Sequence, residues 1–159
     1  MFKKLIAASV VSASLFAGAA TAQDQDPFTG FYTVGEVGYE NAANGFDQFI
    51  FGGAVGYNAL VSDVVFVGGE GAFHGSSSGL VDFTWELTGN VGLRVDEDLA
   101  LLARAGYREI NTDGFGSDGD YTLGVGIQYA LSDTLSLRPL LDTVAFDTIG
   151  VRLGVAYSF

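Results

Sequence analysis

Strict alternation in the last stretch of the chain, Thr148 to Phe159, limits the possible folds more than any other feature. Every second residue from Ile149 is apolar: Ile149, Val151, Leu153, Val155, Tyr157 and Phe159. Between them stand Gly150, Arg152, Gly154, Ala156 and Ser158, which are small or charged. A period of two sends successive side chains to opposite faces, so the segment reads as a β-strand with one apolar and one polar face. A strand that ends on an aromatic residue suits the closing strand of a barrel whose last ring sits at a membrane interface.

The same parity runs through the whole chain. Eight strands are expected at about 28–39, 48–59, 64–73, 82–95, 99–110, 120–131, 135–146 and 148–159. Arg94, Arg104, Arg108, Arg138 and Arg152 all fall on even positions, as do Glu36, Glu70, Glu86 and Asp142. Mid-strand aromatics are odd: Phe31, Tyr39, Phe49, Phe51, Phe73, Phe83, Trp85, Tyr107, Tyr121, Tyr129, Tyr157 and Phe159. The exceptions are Tyr32, Ile50, Phe66, Leu102, Leu140 and Phe146, apolar at even positions, and Glu109, charged at an odd one near a loop.

Connections after the second, fourth and sixth strands are short and built around Ser, Asp and Glu, which suits tight turns. Those after the first, third and fifth are longer and rich in Gly, Ser, Asn and Asp, while the last, around Asp147, is short. With strands running up and down in turn, Tyr39, Phe49, Phe51, Phe73, Phe83, Trp85, Tyr107 and Tyr121 gather near the long-loop end. Phe31, Tyr57, Tyr129, Tyr157 and Phe159 gather near the short-turn end. Two aromatic girdles around an apolar band match a bilayer. In hydrocarbon every backbone N–H and C=O must be paired internally, so the sheet must close. The expected fold is all-β, an eight-stranded antiparallel up-and-down transmembrane β-barrel, with its short turns and both termini in the periplasm. A water-soluble barrel would instead turn the odd face onto a cavity and the arginines to water. Lysine is absent after residue 22, which is unusual for a solvated outer face and natural for a lipid-facing one.

Residues 1–22 read as a secretory signal peptide. Lys3 and Lys4 precede an apolar run from Leu5 to Ala19 and an Ala20-Thr21-Ala22 cleavage site. Residues 23–159 then form one outer-membrane barrel domain. That part holds five arginines and 19 acids, a formal charge of 5 − 19 = −14. That balance argues against nucleic acid and heparin-like partners, which need basic patches. Without cysteine there is no lipidated N-terminus, disulfide or thiolate metal site, and one histidine is too few for a transition-metal centre. No cofactor is expected.

The signal sequence, the eight alternating strands, the Ser/Asp turns and the terminal run Val151-Arg152-Leu153-Gly154-Val155-Ala156-Tyr157-Ser158-Phe159 resemble the small outer-membrane β-barrel proteins of Gram-negative bacteria, the OmpA/OmpX-like, porin-family barrels. The resemblance covers essentially all of residues 23–159 and is specific for architecture rather than activity, since one fold hosts many roles. It implies that Val155, Tyr157 and Phe159 form the signal read by the outer-membrane assembly machinery. It also implies lipid and lipopolysaccharide as surroundings. Unlike two-domain members, the chain is expected to lack a periplasmic peptidoglycan-binding domain.

Three constellations could carry chemistry. Glu36, Glu70, Glu86 and Asp142, with Arg94, Arg104, Arg108, Arg138 and Arg152, are expected inside the barrel as a charge network. It would either plug the lumen or line an ion path, with inward glycines such as Gly52, Gly92, Gly124 and Gly154 leaving room for water. His74-Gly75-Ser76 with Glu86 offers a base, a nucleophile and an acid, as in outer-membrane barrels that modify lipid A. Asn111-Thr112-Asp113-Gly114 and Asp118-Gly119-Asp120 supply oxygens that suit Ca²⁺ but complete no EF-hand, and Asp-Gly turns explain them equally well. The expected role is structural or surface-interactive and non-enzymatic, in a monomer. A narrow channel is the alternative, and a lipid A-modifying enzyme the second.

Overall fold

The structure, a computed structural model, describes residues 26–42, 47–77, 81–112 and 116–159. The expected signal peptide and Asp113-Gly114 lie outside them. The strands are β1 (Gly30–Ala42), β2 (Asp47–Leu60), β3 (Val65–Ser76), β4 (Val81–Arg94), β5 (Leu99–Thr112), β6 (Gly116–Ala130), β7 (Leu135–Val144) and β8 (Thr148–Ser158). They pair antiparallel in chain order, and β8 closes against β1.

The pairing can be followed once around the ring. Tyr32 faces Gly56, then come Glu70, Thr88, Gly106, Thr122, Val144, Thr148 and finally Ala42. One circuit therefore returns to β1 ten residues higher, at Ala42 instead of Tyr32. That stagger tilts the strands, and with eight of them the interior is just wide enough for side chains to fill. Every residue on the circuit is even-numbered, so parity marks the inner face in all eight strands.

The faces are inverted relative to a water-soluble protein. Outward Phe73 and Leu87 are 67% and 62% exposed, whereas inward Arg152 and Glu86 are 1% and 2% exposed. A continuous apolar exterior of this extent marks a membrane surface. Three turns share one geometry at the short-turn end. Val61, Val95 and Leu131 donate their N–H to the carbonyls of Val65, Leu99 and Leu135 at 2.9, 2.9 and 2.8 Å. The Ser62 and Ser132 hydroxyls accept the N–H of Val65 and Leu135, each at 3.1 Å.

Strand ends at the long-loop side depart from the sequence reading. β1 runs to Ala42, β3 to Ser76 and β5 to Thr112, and β6 already begins at Gly116. These Gly-, Ser-, Asn- and Asp-rich stretches have poor strand propensity. The ladder carries them because each has a partner, as in Asn41 opposite Asp47 and Asn111 opposite Ser117. β7 instead stops at Val144, before a two-residue turn in which Ala145 and Phe146 have φ of 52° and 62°. Positive φ at both centres is hairpin geometry that Asn-Gly usually supplies, so composition hides it. Phe146 therefore leaves the inner face and stands exposed at the tip, 5.7 Å edge-on from the Tyr121 ring. The β6–β7 ladder has no pairs between Gly126–Leu140 and Tyr129–Leu137, where Pro139 has no N–H to give.

Of the other exceptions to parity, Tyr32, Ile50, Phe66, Leu102 and Leu140 are inward and buried. Phe66, Leu102 and Leu140 join Phe28, Ala100 and Ala130 in an apolar layer toward the short-turn end. Tyr32, Val34, Ala54, Ala72 and Ala156 form a second cluster.

Inward and outward glycines make different demands. A Cβ at inward Gly106 would strike the Leu87 carbonyl and the Thr88 Cα, both backbone, while one at outward Gly71 would meet nothing within 4 Å. Gly106→Ala should cost about 1–3 kcal/mol through overpacking and Gly71→Ala should be neutral. Urea unfolding in lipid vesicles, followed by Trp85 fluorescence, checks both.

Candidate functional site in the barrel lumen

The inner face carries one connected charge network. Arg152, from β8, stands at its centre. It donates through a terminal nitrogen to Glu86 at 3.0 Å, lies 3.5 Å from Glu36 and holds Nε 2.8 Å from Asp142. Glu86 also takes the Arg104 guanidinium and lies 3.5 Å from Arg108. Arg104 reaches Glu70 at 3.3 Å, and Glu70 accepts from Arg138 at 2.7 Å and from the Tyr32 hydroxyl at 2.9 Å. Asn90 donates on to the Tyr32 oxygen at 3.1 Å, and the Arg138 guanidinium lies 5.4 Å from the Tyr32 ring centre.

The network thus brings together Glu36, Glu70, Glu86, Arg104, Arg108, Arg138, Asp142 and Arg152. Arg94 stands apart from it. Its side chain pairs with Asp26 at the short-turn mouth and is about a quarter exposed. Its even position turns it inward, but it ends β4, below the level of the other four arginines.

Glu40 and His74 belong to the network and were not expected there. Glu40 accepts from Arg108 and from Gln48, and Gln48 in turn accepts the Ser76 hydroxyl at 2.6 Å. The sequence reading ends the first strand at 39, whereas β1 runs on to Ala42 and buries Glu40 on the inner face. His74 likewise lies one residue beyond the expected third strand, 64–73, whereas β3 runs on to Ser76 and turns it inward. The His74 Nε2 is hydrogen-bonded to Glu36.

That geometry leaves the base–nucleophile–acid set unassembled: His74 engages Glu36, Ser76 engages Gln48, and Glu86 engages arginines. The described part of the acidic loop material is likewise built into strands. Asp118 and Asp120 stand in β6 opposite Ile110 and Arg108, and the Asp120 carboxylate accepts the N–H of Tyr121 at 2.7 Å. Among the described residues no group of three His, Cys, Asp or Glu side chains is placed to hold a metal ion.

The inward glycines are occupied rather than hollow. A Cβ at Gly124 would lie 2.9 Å from Cγ of Arg104, and one at Gly38 3.0 Å from Cγ of Arg152. The space beside Gly92 holds the Phe66 ring, that beside Gly52 the His74 ring, and that beside Gly154 the Val34 methyl at 2.8 Å. Glycine on one strand makes the berth for a long side chain on the next, so these positions supply little room for water.

Val155 and Tyr157 face outward on β8, and Phe159 follows them with its N–H on the Phe31 carbonyl at 2.9 Å. The Tyr157 and Phe159 rings meet edge-to-face at 5.1 Å, at the short-turn girdle.

The family model for the outer membrane protein beta-barrel domain matches residues 10–159. The chain belongs to that family. Among solved structures, this outer-membrane barrel is similar to the N-terminal barrel of Pseudomonas aeruginosa OprF. The TM-score is 0.59 at 15% identity, covering 82% of this chain and 98% of that one. The Yersinia pestis attachment invasion locus protein Ail, in complex with the heparin analogue sucrose octasulfate, gives 0.58 at 17% identity over 81% and 97% of the two chains. A de novo designed transmembrane barrel gives 0.58 at 23% identity over 85% and 98%. At these identities the likeness is one of fold. No curated protein matches by sequence.

Removing one partner from a buried charge network strands the others. Arg104→Ala or Arg138→Ala should destabilise the barrel by about 3–5 kcal/mol. Arg94→Ala, which breaks a partly exposed pair, should cost under about 1 kcal/mol. Unfolding midpoints of the refolded variants, read as loss of the unheated gel shift, measure the difference.

Proposed function

We propose that this outer-membrane barrel acts as a closed structural element of the cell envelope that presents its long-loop end at the surface. The filled lumen carries this reading. Arginines and carboxylates from β1, β3, β4, β5, β7 and β8 cross-link the interior, and the apolar layer of Phe28, Phe66, Leu102 and Leu140 lies below them. A conducting path needs continuous water, and both layers oppose it. In this reading the short turns face the periplasm after export by the signal peptide, and the barrel is a monomer.

The lipid contacts follow from the outer wall. Outward Val91, Leu123, Val125, Leu141 and Ile149 on β4, β6, β7 and β8 are exposed and, in this reading, meet acyl chains, those of lipopolysaccharide included. Val155, Tyr157 and Phe159 serve as the signal for the assembly machinery, placed on the face and at the end where a lipid-embedded factor can reach them. The heparin analogue bound by Ail is not carried over, because a formal charge of −14 after residue 22 repels polyanions.

Single-channel recording of the refolded protein in a planar bilayer tests the reading. The expected trace is silent while the unheated gel band stays shifted. Discrete steps absent from a boiled control would establish a pore and overturn the proposal. Lipid A mass spectra should be unchanged by overexpression. A new lipid A species that disappears on Ser76→Ala would point to an enzyme.

A further inference from the structure

We infer that Asp26 to Thr29 is a latch that seals the short-turn mouth and can be released without opening the barrel wall. Four strands end at this mouth, β2, β4, β6 and β8, and each gives one inward side chain to the segment. Asn58 of β2 donates to the Phe28 carbonyl at 3.0 Å. Gln128 of β6 and Ser158 of β8 donate to the Pro27 carbonyl at 2.8 and 3.1 Å. Arg94 of β4 pairs with Asp26 and lies 5.4 Å from the centre of the Phe28 ring. Phe28 itself is 2% exposed and stacks on Phe66 with ring centres 6.2 Å apart. The wall thus offers donors from three strands to two backbone carbonyls, an apolar seat for one ring, and a cation for one acid.

Two features make the latch separable from the wall. Gly30, with φ of +88°, turns the chain from β1 across the mouth, a hinge that L side chains rarely adopt. The segment also contributes no pair to any ladder, so the closed sheet does not depend on it. The Asp26–Arg94 pair is about a quarter exposed, so added salt should weaken it.

Behind the latch sits Ala100, 0% exposed. The chain has no cysteine, so Ala100→Cys introduces a single thiol against no background. The refolded barrel is treated with a charged, membrane-impermeant maleimide. The thiol should react about tenfold or more slowly with the latch intact than when Phe28→Ala and Asn58→Ala are added, and 1 M salt should speed reaction only in the intact form. Unheated gel shifts show that each variant is folded. Where the double variant fails to refold, Asp26→Asn alone should give the same direction of change. Equal, slow labelling with and without the latch would mean that the apolar layer alone seals the mouth and would overturn the inference. Full-rate labelling of the intact form would overturn it equally.

Discussion

The structure depends on one constraint: in hydrocarbon no water is available for an unpaired backbone amide. β1 can satisfy its free edge only by meeting β8, and it does so over eleven consecutive pairs, from Tyr32–Ser158 to Ala42–Thr148. Closure with eight strands and a stagger of ten residues fixes the width of the tube. A tube of that width leaves a lumen that side chains must fill. The glycine berths for Arg104, Arg152 and His74 are thus consequences of closing the sheet. At Gly38, Gly52, Gly92 and Gly124 a glycine makes the berth for the long side chain facing it, Arg152, His74, Phe66 and Arg104 respectively.

Arginine suits this interior in a way that lysine does not. Its planar fork carries five N–H donors and keeps its charge when buried. Arg152 alone touches Glu36, Glu86 and Asp142, and Glu86 in turn touches Arg104, Arg108 and Arg152. A point charge on a flexible stem could not join three carboxylates on three strands. Desolvation would otherwise make such burial prohibitive, and the several partners shared by Arg152, Glu86 and Glu70 offset it. The network therefore links β1, β3, β4, β5, β7 and β8 through the interior as well as through the wall.

Much of this was legible in the sequence because a strand period of two survives from one hairpin to the next. Among the described residues the register shift lies between Val81 and Phe83, at the long-loop end, so parity separates inside from outside throughout the membrane-facing part. Composition misled where it conflicts with pairing. Glu40, Asp118 and Asp120 look like loop residues, yet the partner strand holds each in the ladder. Ala145-Phe146 looks like strand and is a turn. Parity also says which residues face inward but not at what height they meet. For that reason Phe66, Leu102 and Leu140 read in the sequence as exceptions to parity, and only the structure shows them as a layer. The Arg94–Asp26 pair spans 68 residues, and no local pattern in the sequence announces it.

A designed transmembrane barrel shares this fold, so closure does not by itself specify a role. The ends of the barrel are where this chain becomes particular. Four arginines lie in the lumen network with five carboxylates, and the fifth pairs with Asp26. Of the 19 acids, thirteen remain outside these pairs, and the sequence after residue 22 has no further arginine or lysine to match them. Burying the positive charge strips the ends of compensation and makes both of them acidic. Such a field repels phosphate- and sulfate-rich chains and draws cations and basic segments toward the rim. The demand for arginine inside the tube thus sets the electrostatic character of the surfaces outside it.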